Sequence, residues 1–255
     1  MEAYALLRRA PLFAEVDDAE LRRVAMRCNV RILGAGDILV RAGSPQRDVF
    51  YLASGAVVLY RRNHREDVTM ALGILSGPAL FGDAEWAAGV PWMVSVRAEV
   101  DATVVCIENA AFAKLAQEPA VAYRLYRDAC VRHLLANHTA QVMAIYDVET
   151  RLLRLLLDHG ERVGQRGDDA MILSEPIGPV ALAAHLGVNR RTITRALKSI
   201  EAQGWLVREG ERWTLKRLRE MEGILPPHLL GFSTTSGEQG AVFSRWSGQL
   251  GRDDS

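Results

Sequence analysis

At 255 residues the chain is long enough for two ordinary domains, since domains cluster around ~100–150 residues. Apolar residues make up 49% and charged residues 24%, the balance of a soluble globular protein rather than a disordered or fibrous one. The 31 basic and 31 acidic side chains cancel, which excludes a uniformly basic nucleic-acid binder.

No apolar run approaches the ~20 residues that a membrane helix needs. The opening MEAYALLRRAPLF lacks the charged, apolar and small-residue order of a secretory signal, so a cytoplasmic location is expected. Cys28, Cys106 and Cys130 are odd in number and far apart, which suggests neither a disulfide framework nor paired zinc ligands.

In chain order, Glu2–Arg9 and Asp18–Cys28 read as two short amphipathic helices broken by Pro11, with Leu6, Leu7, Leu12 and Phe13 free to pack on the strands beyond them. From about Val30 to Ile107 the pattern becomes short apolar runs (DILV, VFYL, AVVLY, VTMALGIL, WMVSVRA, ATVVCI) cut by glycine-bearing turns. Such strands predict an antiparallel sandwich or barrel. Helical periodicity returns at Asn109–Gln117, stops near Pro119, and resumes from Ala120 to about Tyr146 without an internal Gly or Pro. There Val131, Leu135, His138, Val142 and Ile145 recur at spacings of four and three, a seam suited to a parallel helix pair. Val148–Val163 is a further leucine-rich helix, Gly164–Asp169 a loop and Met171–Leu173 a short strand. Residues 226–255 are rich in Pro, Gly, Ser and Thr and are expected to form a flexible tail.

Two short helical patterns meet at Gly187-Val188, and the second opens with Asn189, Arg190, Arg191 and Thr192. It continues through Thr194, Arg195 and Lys198, while Ile193, Ala196, Leu197 and Ile200 keep one face apolar. An apolar side fixes such a helix to a body and leaves amide, hydroxyl and guanidinium groups outward, as a helix that enters the DNA major groove requires. Trp205–Val207 and Arg212–Leu215 then form a hairpin wing. From Gly187 to Arg219 nine cations face three anions. This local basic surface suits phosphate attraction inside a neutral molecule.

The order of β unit, long helix and winged helix-turn-helix resembles the Crp/Fnr family of bacterial transcription regulators over roughly residues 5–220. The carriers are AYALLRRAPLFAEVDDAELRRVA, GAGDILVRAGSPQRDVFYLASGAVVLY, LFGDAEW, the VRA of Val96–Ala98, and GVNRRTITRALKSIEAQGWL. The resemblance implies an α+β fold with four parts. Residues 1–119 form N-terminal helices and a jelly-roll-like, cyclic-nucleotide-binding-type β-roll. Residues 120–146 form a dimerisation helix, 147–225 a winged helix-turn-helix, and 226–255 the tail. It also implies a homodimer on double-stranded DNA, with RNA polymerase as a further partner and no membrane.

Relatives that bind cyclic AMP hold its ribose with a Gly-Glu pair and its phosphate with an Arg-Ser pair. The matching positions here are Gly82-Asp83 and Trp92-Met93. Arg97 matches a position that is not the phosphate ligand, and the adenine-contacting Thr-Ser of such relatives is replaced near Ala136-Asn137. Burying a phosphate without a cation or hydroxyl donor is costly, so cyclic AMP is not expected to bind in the usual way. No cofactor or metal is expected, and the effector is left unnamed. Three scattered cysteines cannot repeat an iron–sulfur site, and haem would need His64 or His138.

For DNA, the resemblance implies base contacts from Asn189, Arg190, Arg191 and Arg195, with Thr192 and Thr194 near the backbone. Relatives commonly carry glutamate where Arg191 stands, so the half-site should differ, because arginine accepts no hydrogen bond. Arg208 and Arg212 on the wing are expected at phosphates. The alternatives are an effector-independent regulator or architectural factor, and a haem-dependent gas sensor. His64 is the only histidine before residue 133, so a metal-dependent oxygenase cannot be assembled in the β unit, and no enzyme activity is expected.

Overall fold

The computed structural model describes residues 2–63, 68–173, 176–210 and 212–225. The expectations for His64 and for the tail at 226–255 lie outside the described residues. The chain divides into two compact units, one built mainly of residues up to His133 and the other mainly of residues from Leu134 onward.

In the first unit, α1 (Glu2–Arg8), a 3-10 turn (Pro11–Phe13) and α2 (Asp18–Ala25) precede the strands. Asp17 caps α2 by accepting from the amides of Ala19 and Glu20, satisfying donors that a helix start leaves bare. The strands β1 (Cys28–Leu33), β3 (Asp48–Ser54), β6 (Ala79–Phe81) and β8 (Ala102–Glu108) form one sheet in the order β1-β8-β3-β6. The strands β2 (Ile38–Val40), β4 (Ala56–Asn63), β5 (Val68–Ser76) and β7 (Ser95–Ala98) form another in the order β2-β7-β4-β5.

Strand parity sorts the side chains, since neighbours along a strand point to opposite faces. Val49, Tyr51, Val105 and Ile107 pack with Leu7, Phe13, Leu21, Phe112 and Leu115 from the helices. Their neighbours Phe50, Leu52, Val104 and Cys106 turn inward and meet Val57, Val96 and Ala98 of the second sheet. The expected antiparallel roll is therefore present, with helices on one outer face.

Several boundaries differ from the sequence expectation. β1 begins at Cys28, where a helix was expected to end; Cys28 and Asn29 pair with Ile107 and Cys106, and that ladder overrides the helical pattern. A short helix, α3 (Asp83–Ala88), interrupts the strand region. After α4 (Asn109–Leu115) comes α5 (Pro119–Ile145), with Pro119 opening the helix, a position where its missing N–H costs nothing.

The second unit contains α6 (Val148–Val163), β9 (Gln165–Arg166), β10 (Ala170–Leu173), α7 (Pro179–Leu186), α8 (Arg190–Ala202), β11 (Leu206–Glu209), β12 (Arg212–Lys216) and α9 (Leu218–Ile224). Its sheet runs β11-β12-β10-β9. The supposed loop 164–169 thus contributes β9, whose residues pair with Met171 and Ile172. Leu152, Leu156, Leu157, Leu182, Ile193, Leu197, Ile200 and Leu215 are among its buried residues. Gly187 ends α7 at φ 64°, the left-handed region that glycine enters most readily, and this turns the chain from α7 into α8.

Asp147 caps α6, its Oδ1 accepting from the Thr150 amide at 2.8 Å. That backbone hydrogen bond heads the causes that hold the Asp147 carboxyl below its ordinary value. A depressed folded-state value means that the stabilisation is present above the ordinary carboxylate range and is lost as pH falls through the folded value. Asp147→Ala is expected to lower stability by ~1 kcal/mol at neutral pH. In urea titrations at falling pH, the gap between mutant and parent should close.

Candidate nucleic-acid interface and effector pocket

The interface is built on α8. Ile193, Ala196, Leu197 and Ile200 are all buried, and α8 packs on α6 and α7. At ~100° per residue, Arg190, Thr194, Lys198, Arg191 and Arg195 fall within an arc of roughly 140° on the opposite side. All five are exposed. Burial of one face thus fixes which way the cations point.

Asn189 has a structural task. As the residue preceding α8, it accepts from the Thr192 amide at 2.8 Å and the Thr192 hydroxyl at 3.0 Å. Thr194 donates to the Arg190 carbonyl at 3.0 Å. Asn189 and Thr192 therefore shape the helix start, while the three arginines and Lys198 present charge. The amide ends at the start of α8 add a positive dipole on the same side.

On the wing, Arg208 is already engaged. Its guanidinium donates to both carboxylate oxygens of Glu201 at 2.6 and 2.8 Å and lies 5.3 Å from the Trp213 ring centre. Arg208 thus ties the wing to the recognition helix, whereas a free phosphate contact was expected from it. The pairing holds the Glu201 carboxyl below its usual range, with the Arg208 hydrogen bond as the leading cause. Arg212 is exposed on β12.

The nucleotide position of the roll is arranged differently. Gly82 stands before α3 at φ 82°, and a Cβ built on it would lie 2.5 Å from the Trp92 ring. Trp92 is buried and clusters with Phe50 and Phe81, at ring-centre distances of 5.5 and 6.4 Å. The indole occupies the neighbourhood where cyclic-AMP-binding relatives were expected to place a phosphate-holding arginine.

Asp83 is 8% exposed and accepts from Arg132 of α5 through both oxygens, at 3.3 and 2.5 Å. Asp128, also beside Arg132, has its carboxyl pushed up chiefly by burial. No local signal pointed to Arg132, 49 residues from Asp83.

The other residues weighed for the pocket lie as follows. Arg97 cannot face the roll interior, because its neighbours Val96 and Ala98 do and strand parity turns it outward. There it lies 3.9 Å from Glu99 and 5.9 Å from the Tyr60 ring centre. Met93 is 53% exposed, its carbonyl accepting from Arg61. Ala136 and Asn137 are exposed, on the part of α5 that belongs to the second unit.

The expected seam on α5 also shifts. Val142 is 3% exposed and so is used within the subunit. His138 is half-buried, and the Leu135 side chain lies outside the described residues. Val131 and Ile145 are exposed, together with Tyr123, Tyr126 and Leu134. These five share an arc of roughly 140° at ~100° per residue. The exposed apolar stripe therefore runs through Tyr123, Tyr126 and Leu134, with Val142 to one side.

Among the described residues no three His, Cys, Asp or Glu side chains gather in a metal-binding group. No described helix is long and apolar enough to cross a membrane.

A β-roll followed by a long helix and a winged helix-turn-helix defines a two-module, DNA-reading regulator. Comparison with known proteins agrees. Residues 30–119 match the cyclic nucleotide-binding domain model, and residues 150–224 match the Crp-like helix-turn-helix domain model. The chain belongs to the Crp/Fnr family of transcription regulators.

It is 22% identical over 209 residues to the CRP-like cAMP-activated global transcriptional regulator of Mycobacterium tuberculosis, covering 81% of this chain and 92% of that one. Among solved structures it is similar to the c-di-GMP responsive global regulator CLP of Xanthomonas campestris, with a TM-score of 0.64, 20% identity, and 78% and 99% of the two chains covered. A Crp/Fnr-family regulator of Eubacterium rectale gives a TM-score of 0.65 at 16% identity, covering 84% and 96%.

Removing the cap by Asn189→Ala is expected to cost ~1 kcal/mol of stability. DNA affinity should fall by a similar factor on specific and random sequences, as read by chemical denaturation and fluorescence anisotropy. A loss confined to one base position would instead make Asn189 a base reader.

Proposed function

We propose that the protein binds a near-palindromic operator as a homodimer, and that its β-roll does not use cyclic AMP. The observation that carries the first part is the exposed basic face of α8 set against a buried apolar one. Pairing through the Tyr123, Tyr126, Val131, Leu134 and Ile145 stripe of α5 would set two recognition helices about one DNA turn, ~34 Å, apart. Arg190, Arg191 and Arg195 are then the base-reading candidates, since a guanidinium fork matches guanine O6 and N7. Lys198 and Arg212 suit phosphates, and RNA polymerase is the natural further partner of such a regulator.

The second part is supported by Trp92 and by Asp83. A neutral indole stands where a cation would be needed, and the carboxylate that would meet a ribose is engaged by Arg132. Either change alone weakens a cyclic nucleotide site. Together they favour a regulator that binds DNA without this effector, a reading that needs no haem or other cofactor.

Two measurements check this. Arg195→Ala should weaken operator binding by roughly 10–100-fold, matching ~1–3 kcal/mol for a bidentate base contact, with a smaller loss on random DNA. Equal losses would assign Arg195 to phosphate. Ligand-free protein should bind its selected operator with nanomolar affinity, unchanged by added cyclic AMP. Micromolar heat-producing binding of cyclic AMP to the roll would overturn the effector reading.

A further inference from the structure

A cleft of about 490 Å³ opens at the mouth of the roll, on a side of Trp92 that does not include Gly82 or Asp83. Its size falls within the ~300–1,000 Å³ typical of small-molecule sites. Parity explains its lining. Asn29 and Arg31 on β1 stand opposite Cys106 and Val104, whose side chains face inward, so Arg31 points into the mouth rather than toward the helices. Arg41, Ser44 and Arg47 come from the segment joining β2 to β3. Leu39, Val40, Phe50 and Trp92 supply a buried apolar floor.

Three arginines, Arg31, Arg41 and Arg47, thus line the cleft together with one carboxylate, Asp48. Arg31 and Arg47 are both close enough to act on Asp48 electrostatically, yet neither they nor Arg41 belong to the ion pairs found among the described residues. Cations gathered at a concave mouth repel one another, and an anion would relieve that repulsion. Arginine forks match carboxylate and phosphate oxygens in pairs, and the floor suits an apolar body.

We propose that this cleft binds a small organic anion, with its phosphate, sulfonate or carboxylate group held by Arg31, Arg41 and Arg47. Its apolar portion lies over Leu39, Val40 and the edges of Phe50 and Trp92. The site does not depend on the reading of α8 or on the closed nucleotide position, because none of those residues except Trp92 lines it.

The test uses the full chain and 8-anilinonaphthalene-1-sulfonate, an aromatic anion whose fluorescence rises on binding. One saturable site per subunit is expected, displaced by inorganic pyrophosphate. Arg31→Gln and Arg47→Gln should each raise the midpoint about tenfold, since charge-assisted hydrogen bonds are lost. Arg9→Gln, an exposed cation elsewhere in the same unit, should leave it unchanged. All three replaced side chains are exposed, so the fold is retained, as thermal melts will check. The proposal is overturned if the dye does not saturate, if pyrophosphate fails to displace it, if the two cleft variants bind as the parent does, or if Arg9→Gln loses as much.

Discussion

The seating of α8 is the constraint on which the rest of this molecule depends. Ile193, Ala196, Leu197 and Ile200 are withdrawn from water, and burying such side chains contributes ~1.5–3 kcal/mol for each large one. That burial sets the rotation of the helix about its axis. Arg190, Arg191, Arg195 and Lys198 have no freedom to turn inward without exposing it. The Asn189 cap fixes where the helix begins, and the Glu201–Arg208 pair fixes the wing beside it. Specificity in such a protein is therefore prepared by apolar packing well before DNA arrives.

The roll shows the same logic with a different outcome. Its inner face is filled by aromatic and branched side chains, and Trp92 extends that packing into the neighbourhood of Gly82. The Asp83–Arg132 pair ties α3 to the middle of α5. At the position matching the nucleotide site of cyclic-AMP-binding relatives, this chain carries an indole against Gly82 and an ion pair on Asp83. A cleft lined by arginines lies elsewhere on the roll.

Much of this was legible in the sequence where the signal is local. Periodicity placed the antiparallel strands and α8, because each buries one face of a regular element, and the long helix showed in a run without internal Gly or Pro. The basic face of α8 came from the same spacing. What escaped was long-range or depended on choosing between faces. Arg132 reaches Asp83 across 49 residues, and no spacing rule links them. Arg208 was read by charge alone, although Glu201 lies close enough across the turn to claim it. Val142 fitted a three-and-four repeat, but α5 carries apolar residues on more than one side, so the repeat could not say which side faces out. Arg97 came up beside the pocket only through its nearness in sequence, while its motif and the alternation of Val96 and Ala98 already turned it away.

Methylation interference on an operator selected by the protein tests the central claim most directly. Methyl groups on guanine N7 project into the major groove and those on adenine N3 into the minor groove. N7 methylation is expected to block binding in two half-sites whose centres lie about one helical turn, ~10 base pairs, apart. Interference from adenine N3 alone, or at a single half-site, would contradict it.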